Sequence, residues 1–442
     1  MRVLKILFLL ISLAFNRAYN AQNPPKIATD FYKLLERQKT EQLFGLFDTA
    51  GVPVEYLNML REKLKNDVTQ LGKPKKLIKI IEDENSVKKQ YALLMRLKEN
   101  KKKIHLTLSK NGKIEHYDIK EYNESPFFQL KGYNGFSEVT NLPVTIKTTD
   151  GLKLDGNIAF GDTSKQKLPL VIFVHGSGTT DRDESIGPNK PFRDLSQGLA
   201  QQGIASIRYD KRGFDRTQLK KGMLDSIDIY IETIFDAIEA TKLAKQFSFI
   251  DTTRIYIVGH SLGAMCAPKI AKLCPAVKGI VMLAGPAKNF LEVLPEQARY
   301  MALLDDTITT IEEIQLNQNK WFIERLASPE EFKKIPRIFL GGTSYRYWKS
   351  FKDFDQAGTA KTLTIPVFIL NGENDFQVIM AEYELWKKEL AGKQNASFKS
   401  YPKLNHLFLE TVGERGLKEY DIPGHIPQFV IDDIAEFILR SR

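Results

Sequence analysis

The stretch Ile255-Tyr256-Ile257-Val258-Gly259-His260-Ser261-Leu262-Gly263-Ala264-Met265 constrains this chain more than any other. A β-branched run stops at Gly-x-Ser-x-Gly, and the segment Ala264, Met265, Cys266, Ala267 that follows suits a helix. Strand, tight turn and helix in that order force the central serine into a strained backbone. The residues two before and two after it must lack bulk so that strand and helix can approach, which Gly259 and Gly263 satisfy. The turn then exposes the Ser261 hydroxyl at the carboxyl edge of a sheet. It also aims the Leu262 N–H, at a helix N-terminus, toward an incoming carbonyl oxygen.

Other strand ends supply the partners such a serine needs. Leu168–Val174 is a nearly continuous apolar strand, as in a buried parallel sheet, and it runs into His175-Gly176-Ser177-Gly178. In a glycine-rich turn there, the Ser177 N–H becomes a second oxyanion donor beside that of Leu262. Strand Pro366–Leu370 runs into Asn371-Gly372-Glu373-Asn374-Asp375, where a carboxylate is placed to orient an imidazole. Asp375 is the expected group and Glu373 the alternative. After strand Ala396–Tyr401 comes His406, the expected proton carrier. His425, ahead of the terminal helix Ile426–Leu439, is its rival, and His260 inside the turn is expected to be packed. The polar loop Thr179–Lys190, with Asp181, Arg182, Asp183 and Glu184, overhangs the same edge. Asp210-Lys211-Arg212-Gly213 either shapes the site electrostatically or forms a structural ion-pair turn.

A chain of 442 residues suggests two or three domains, and 43% apolar with 27% charged residues describes a globular protein. In residues 1–21, Arg2 and Lys5 precede the apolar run Ile6–Phe15, which is too short to span a bilayer and fits a secretory signal peptide. Export to the periplasm or outside the cell is therefore expected, with no stable membrane span left after cleavage. Removing that segment takes away Arg2, Lys5 and Arg17 and no acids, lowering the formal charge from +10 to +7. The lysine runs at Lys73–Lys79 and Lys101–Lys103 lack interleaved aromatics and read as solvated faces, not a nucleic-acid surface. Cys266 and Cys274, if on one helix, lie about 12 Å apart, too far for a disulfide, and read as core residues. No Cys/His spacing suits a metal.

Residues 22–125 read as a small α+β domain. Ile27, Phe31, Leu34 and Leu35 form one helical stripe, and Tyr56, Leu57, Leu60 and Leu64 another. Four strands follow, Leu77–Glu82, Tyr91–Leu97, Ile104–Ser109 and Ile114–Ile119, with Asn111-Gly112 signalling a two-residue hairpin. His105 and His116 fall on adjacent strands, facing each other or packed in the sheet. Residues 126–137 read as a linker and 138–442 as a second, α/β domain. In the latter, residues 225–246 form an amphipathic helix. An insertion over about 287–360 breaks the strand–helix alternation, with helical patterns at 290–304 and 307–326. As a lid it would cover the sheet edge, with Tyr345, Tyr347, Trp348 and Phe351, beside Phe354, either lining a substrate pocket or forming the lid's own core.

From about residue 138 onward the chain resembles the α/β-hydrolase superfamily, on the order Ser261, Asp375, His406 with an oxyanion turn upstream. Within it, the chain is similar to serine aminopeptidase and monoacylglycerol-lipase-like esterases. The runs His175-Gly176-Ser177-Gly178, Asp181-Arg182-Asp183, Gly187-Pro188-Asn189-Lys190-Pro191-Phe192 and Arg208-Tyr209-Asp210-Lys211-Arg212-Gly213 resemble bacterial carboxylesterases with an extra N-terminal domain. The layout of residues 22–125 is similar to the cystatin- or NTF2-like shape. The resemblance implies a mostly parallel sheet flanked by helices, a small-molecule ester substrate, hydrolysis through an acyl-enzyme and no cofactor. Two alternatives stay open: an aminopeptidase, with Asp181, Asp183 or Glu184 receiving the substrate amine, and an inactive binding protein on the same fold. The N-terminal domain is left to bind a partner or to form a homo-oligomer.

Overall fold

A computed structural model describes residues 26–50, 52, 54–83, 90–97, 101–121, 139–164, 167–214, 223–303, 308, 310–335, 343–411 and 416–441. The expected signal segment and linker lie outside these residues. Helices Lys26–Glu36, Thr40–Phe44 and Val54–Leu71 precede four strands, β1 (Lys76–Asp83), β2 (Gln90–Arg96), β3 (Lys101–Leu108) and β4 (Ile114–Glu121). These strands pair antiparallel in chain order and enclose their own core around Phe31, Leu64, Leu93, Ile104, Leu106 and Tyr117. Asn111-Gly112 closes a longer hairpin than a two-residue turn. Ser109 N–H donates to the Lys113 carbonyl at 2.8 Å, and Gly112 takes a left-handed φ of 71° with a register shift beside it. That geometry is a three-residue loop with a bulge. His105 pairs with Asp118 and His116 with Thr107, so the two histidines are not opposite each other.

The second sheet holds eight strands: β5 (Thr140–Lys147), β6 (Lys153–Phe160), β7 (Leu168–Val174), β8 (Ala205–Tyr209), β9 (Ile250–His260), β10 (Val277–Leu283), β11 (Val367–Gly372) and β12 (Ala396–Tyr401). Their order is β12-β11-β10-β9-β7-β8-β6-β5. From β12 to β8 the strands run parallel, and the β5–β6 hairpin joins antiparallel at one edge. Strands covered on both faces must be apolar along their whole length, and β7 is buried at every residue. Its alternate side chains divide between two cores: Leu170, Ile172 and Val174 pack on one face with Leu262 and Met265, while Val171 and Phe173 pack on the other with Phe192, Ile431 and Ile434. The Cys266 and Cys274 thiols are free and buried. The expected helix over 225–246 is a wide π-type turn at Tyr230–Phe235 running into helix Asp236–Lys242.

Between β10 and β11 the chain forms helices Phe290–Ala302, Thr310–Arg325, Pro329–Lys333, Tyr345–Lys349 and Gln356–Lys361. The aromatics of this insertion contact one another. Trp348 stands edge-on to Phe322, Phe290 lies 4.7 Å from Phe351, and Tyr345 lies 4.9 Å from Phe332. Tyr347, Trp348 and Phe351 are buried, as members of a core rather than walls of an open cleft, and Tyr345 is half-buried. Among the described residues no helix is long and apolar enough to cross a membrane.

Buried charge fastens the β8 end to its neighbours. Arg212 donates to Asp236 through Nε (2.9 Å) and Nη2 (2.7 Å) and to Asp150 through Nη2 (3.1 Å). Burial pushes the Asp236 carboxyl up to about 6, against the pull of Arg212. A carboxyl raised in the folded state binds its proton more readily there than in the unfolded chain, so the stability this gives is lost as pH rises from the ordinary carboxylate range to about 6. Replacing the guanidinium by an apolar chain leaves that charge uncompensated. Arg212→Met is expected to lower stability by about 3–5 kcal/mol at pH 8 and by less at pH 6, because without the guanidinium the Asp236 carboxyl takes up its proton at a higher pH than in the parent. Denaturant unfolding at the two pH values checks this, and an equal loss at both would contradict it.

Candidate active site

The parallel strands deliver their turns to one edge. At the end of β9, Ser261 has φ 52° and ψ −115°, a left-handed strain worth about 1–3 kcal/mol. The neighbouring backbone fixes it there: its N–H donates to the Leu283 carbonyl of β10 at 2.8 Å, and its carbonyl accepts from Met265 at 3.0 Å. Helix Leu262–Leu273 starts directly after it. The first N–H groups of a helix lack an intrahelical acceptor, which leaves the Leu262 N–H for a ligand. The two glycines are required by close approach. A Cβ on Gly259 would lie 2.4 Å from the Gly263 oxygen, and one on Gly263 would lie 2.0 Å from the Val174 oxygen.

That second contact places the start of the helix against the end of β7, where His175-Gly176-Ser177 turns. A Cβ on Gly176 would lie 3.3 Å from Ser261 Cβ, so this turn abuts the serine. Among the described residues the Ser177 N–H has no hydrogen-bond acceptor, and the Ser177 hydroxyl is likewise buried without a partner.

Asp375 and His406 come together from the ends of β11 and β12. His406 Nδ1 lies 2.7 Å from Asp375 Oδ2, while Oδ1 of the same carboxylate accepts the N–H groups of Gln377 (2.7 Å) and Val378 (2.9 Å). The acid is therefore oriented by backbone, and its free oxygen fixes the imidazole with Nε2 directed away from it. The His406 loop is held by Asn405, whose Oδ1 accepts from Leu407 and Leu409. The alternatives sit elsewhere. Glu373 is exposed and accepts from the Ser400 hydroxyl, and His425 lies 2.9 Å from Asp194 at the start of the terminal helix.

His260 is packed, as expected, but it is also paired. Its ring is 4.6 Å from that of His406, its Nε2 lies 2.9 Å from the His406 carbonyl, and its Nδ1 lies 3.1 Å from Glu184 Oε2. Burial lowers the His260 pKa, and the Glu184 carboxylate more than offsets this, so it stands above the ordinary histidine value. Glu184 is 2% exposed; burial raises its carboxyl, but His260, His175 and the Gly176 N–H hold it below the usual range. Its Oε1 accepts that N–H at 2.6 Å. Glu184 thus bridges the turn after β7 to the strand end bearing Ser261, a role its sequence context did not single out. Its place in an acidic run next to a glycine turn was the only signal.

The other acids of that loop are also occupied internally. Asp181 accepts from Asp183 N–H, Ser185 N–H and the Ser185 hydroxyl. Asp183 pairs with Arg208 and with Lys190, the latter at 2.9 Å, and these cations outweigh burial to hold its carboxyl low. The Asp210–Gly213 cluster divides. Asp210 binds Arg182, Arg212 binds Asp236, and Lys211 alone turns inward to the Gly176 carbonyl at 2.8 Å.

The approach of Gly263 to Val174 predicts a steep penalty for one methyl. Gly263→Ala is expected to destabilise the protein by about 1–3 kcal/mol, since a backbone carbonyl cannot yield as a side chain would. Thermal unfolding measures this, and an unchanged melting temperature would show that the approach is looser than described.

A family model described as "Serine aminopeptidase, S33" matches residues 167–412. Esterase EstD of Thermotoga maritima is 31% identical over 391 residues, covering 88% of this chain and 89% of that protein. Among solved structures, Est1E from Butyrivibrio proteoclasticus aligns at TM-score 0.44 and 19% identity, over 68% of this chain and 98% of its own. An acetyl xylan esterase from Paenibacillus sp. R4 aligns at TM-score 0.46 and 16% identity, over 70% and 86%. With the family match spanning more than half of the sequence and a relative aligned along most of both chains, this protein belongs to the serine aminopeptidase S33 family of α/β hydrolases.

Proposed function

We propose that the protein is an exported serine hydrolase that cleaves carboxylic esters through Ser261, His406 and Asp375. The observation that carries this reading is the Asp375–His406 contact of 2.7 Å, buried beside the strained turn that presents Ser261. Ser261 Oγ adds to the acyl carbon as its proton passes to His406 Nε2. The carbonyl electron pair moves onto oxygen, where the N–H groups of Ser177 and Leu262 receive it. Collapse expels the alcohol, which takes the proton from His406. Water then adds to the acyl-enzyme with His406 as base, and the acid leaves. Asp375 fixes the tautomer and stabilises the imidazolium.

Esters are favoured over aminoacyl amides by a specific observation. A substrate amine needs an unengaged carboxylate, and Asp181, Asp183 and Glu184 are each committed to internal partners. The likeness to an esterase along most of both chains supports the same choice. An inactive scaffold would have no use for an oriented acid–imidazole pair next to a strained serine. The basic and then apolar run at the N-terminus supports export.

Steady-state kinetics on a short aryl ester and a matched aminoacyl amide test the proposal. Ser261→Ala and His406→Ala are each expected to cut kcat on the order of 10⁵–10⁶-fold, and Asp375→Asn about 10⁴-fold, with the ester turned over faster than the amide. Ester turnover surviving in Ser261→Ala would sink the assignment, and a preference for the amide would favour an aminopeptidase.

A further inference from the structure

The oxyanion turn is held from behind by a charge that the triad does not use. A peptide unit is one rigid plane, so the Ser177 N–H and the Gly176 carbonyl move together. The Lys211 ammonium donates to that carbonyl at 2.8 Å, from a side chain only 2% exposed. On the other side of Gly176, its own N–H donates to Glu184 Oε1 at 2.6 Å. Both peptide planes that meet at Gly176 are thereby clamped by buried charges of opposite sign. Turning the Ser177 N–H out of the site would strip this acceptor from an ammonium whose side chain is only 2% exposed, a costly loss for a buried charge. Lys211 also contacts Glu232 Oε2 at 3.3 Å, and that carboxylate accepts the Tyr347 hydroxyl at 3.2 Å. The neighbours Asp210 and Arg212 are satisfied by ion pairs away from the turn, so within the cluster only Lys211 joins its ion pair to the Gly176 carbonyl.

We propose that Lys211 is a positioning residue for ester hydrolysis: its ammonium holds and polarises the Gly176–Ser177 peptide so that the Ser177 N–H meets the developing oxyanion. This rests on the serine-hydrolase reading above. No bond to Lys211 forms or breaks. With the carbonyl end of the dipole on the ammonium and the N–H end toward the substrate, the positive charge acts through the peptide on the oxygen that gains the electron pair. That interaction is strongest once the tetrahedral adduct forms, so it contributes to kcat rather than to ground-state binding. Through Glu232 and Tyr347 the same lysine is tied to the insertion between β10 and β11.

The test uses the full chain carrying Lys211→Met, and the double variant Lys211→Met/Glu232→Gln. The double variant removes both charges together and so leaves no unpaired carboxylate if the single change impairs folding. Each is assayed on the aryl ester and against an aryl trifluoromethyl ketone, to which the Ser261 oxygen adds to give an oxyanion. Losing a direct oxyanion donor costs about 10²–10³ in kcat, so an indirect support is expected to cost about 10–100-fold, with KM within about threefold. The inhibition constant of the ketone is expected to rise in step with the loss of kcat/KM, which a general loss of packing would not produce. A folded double variant with kcat within about threefold of the parent, or with KM raised and kcat kept, would overturn the proposal. Ser261→Ala, run in parallel, separates the two readings. Turnover remaining in Ser261→Ala removes the serine-hydrolase reading, whereas an inert Ser261→Ala beside unimpaired Lys211 variants removes only the role of Lys211.

Discussion

Helix Leu262–Leu273 begins so close to the end of β7 that a single methyl at Gly263 would overlap a backbone oxygen. This approach bends Ser261 into its left-handed conformation, and a conformation of that kind persists only where its surroundings over-determine it. The surroundings here are the β9 ladder on both sides, the Leu283 carbonyl that receives the Ser261 N–H, and two apolar layers that bury every residue of β7. The same approach brings Gly176 against Ser261. Ser261 and the Gly176–Ser177 turn are thus set by one packing contact, and neither can relax without disturbing the sheet.

Around that contact, the edge of the sheet is organised by buried polar groups in fixed partnerships. Asp375 is oriented by two backbone N–H groups before it meets His406. Glu184 spans from Gly176 to His260, and His260 reaches the His406 carbonyl, so the turn after β7 and the His406 loop share one chain of contacts. Paired buried charges rigidify a site, whereas removing one partner would leave an expensive orphan. The arrangement holds these groups in place, as the proposed hydrolysis requires.

Much of this was legible because it is written in local pattern. The β-branched run before Ser261, the apolar run Leu168–Val174 and the Ala396–Tyr401 strand all match observed strands. Asp375 and His406 each follow a strand, and the chain order alone suggested pairing them. What was not legible depends on distance in space rather than in sequence. Glu184 and His260 are separated by the whole of β8 and the helical segment after it, so nothing local marks them as partners. Lys211 sits between two residues that form ordinary ion pairs, and only the fold reveals that it points the other way. The aromatics of the insertion carried two readings because ring content does not distinguish a wall from a core. Their mutual contacts show a core for Tyr347, Trp348 and Phe351. The hairpin at Asn111-Gly112 was longer than its dipeptide implied, since a bulge absorbs a residue without changing composition.

Ester hydrolysis as proposed requires Ser261 to be a nucleophile activated by His406. Its most direct test is to expose the purified protein to a fluorophosphonate probe and map the adduct by peptide mass spectrometry. A single modification is expected, on the peptide carrying Ser261, formed rapidly in the parent and suppressed in His406→Ala. Modification of another serine, or equally fast labelling of Ser261 without His406, would contradict it.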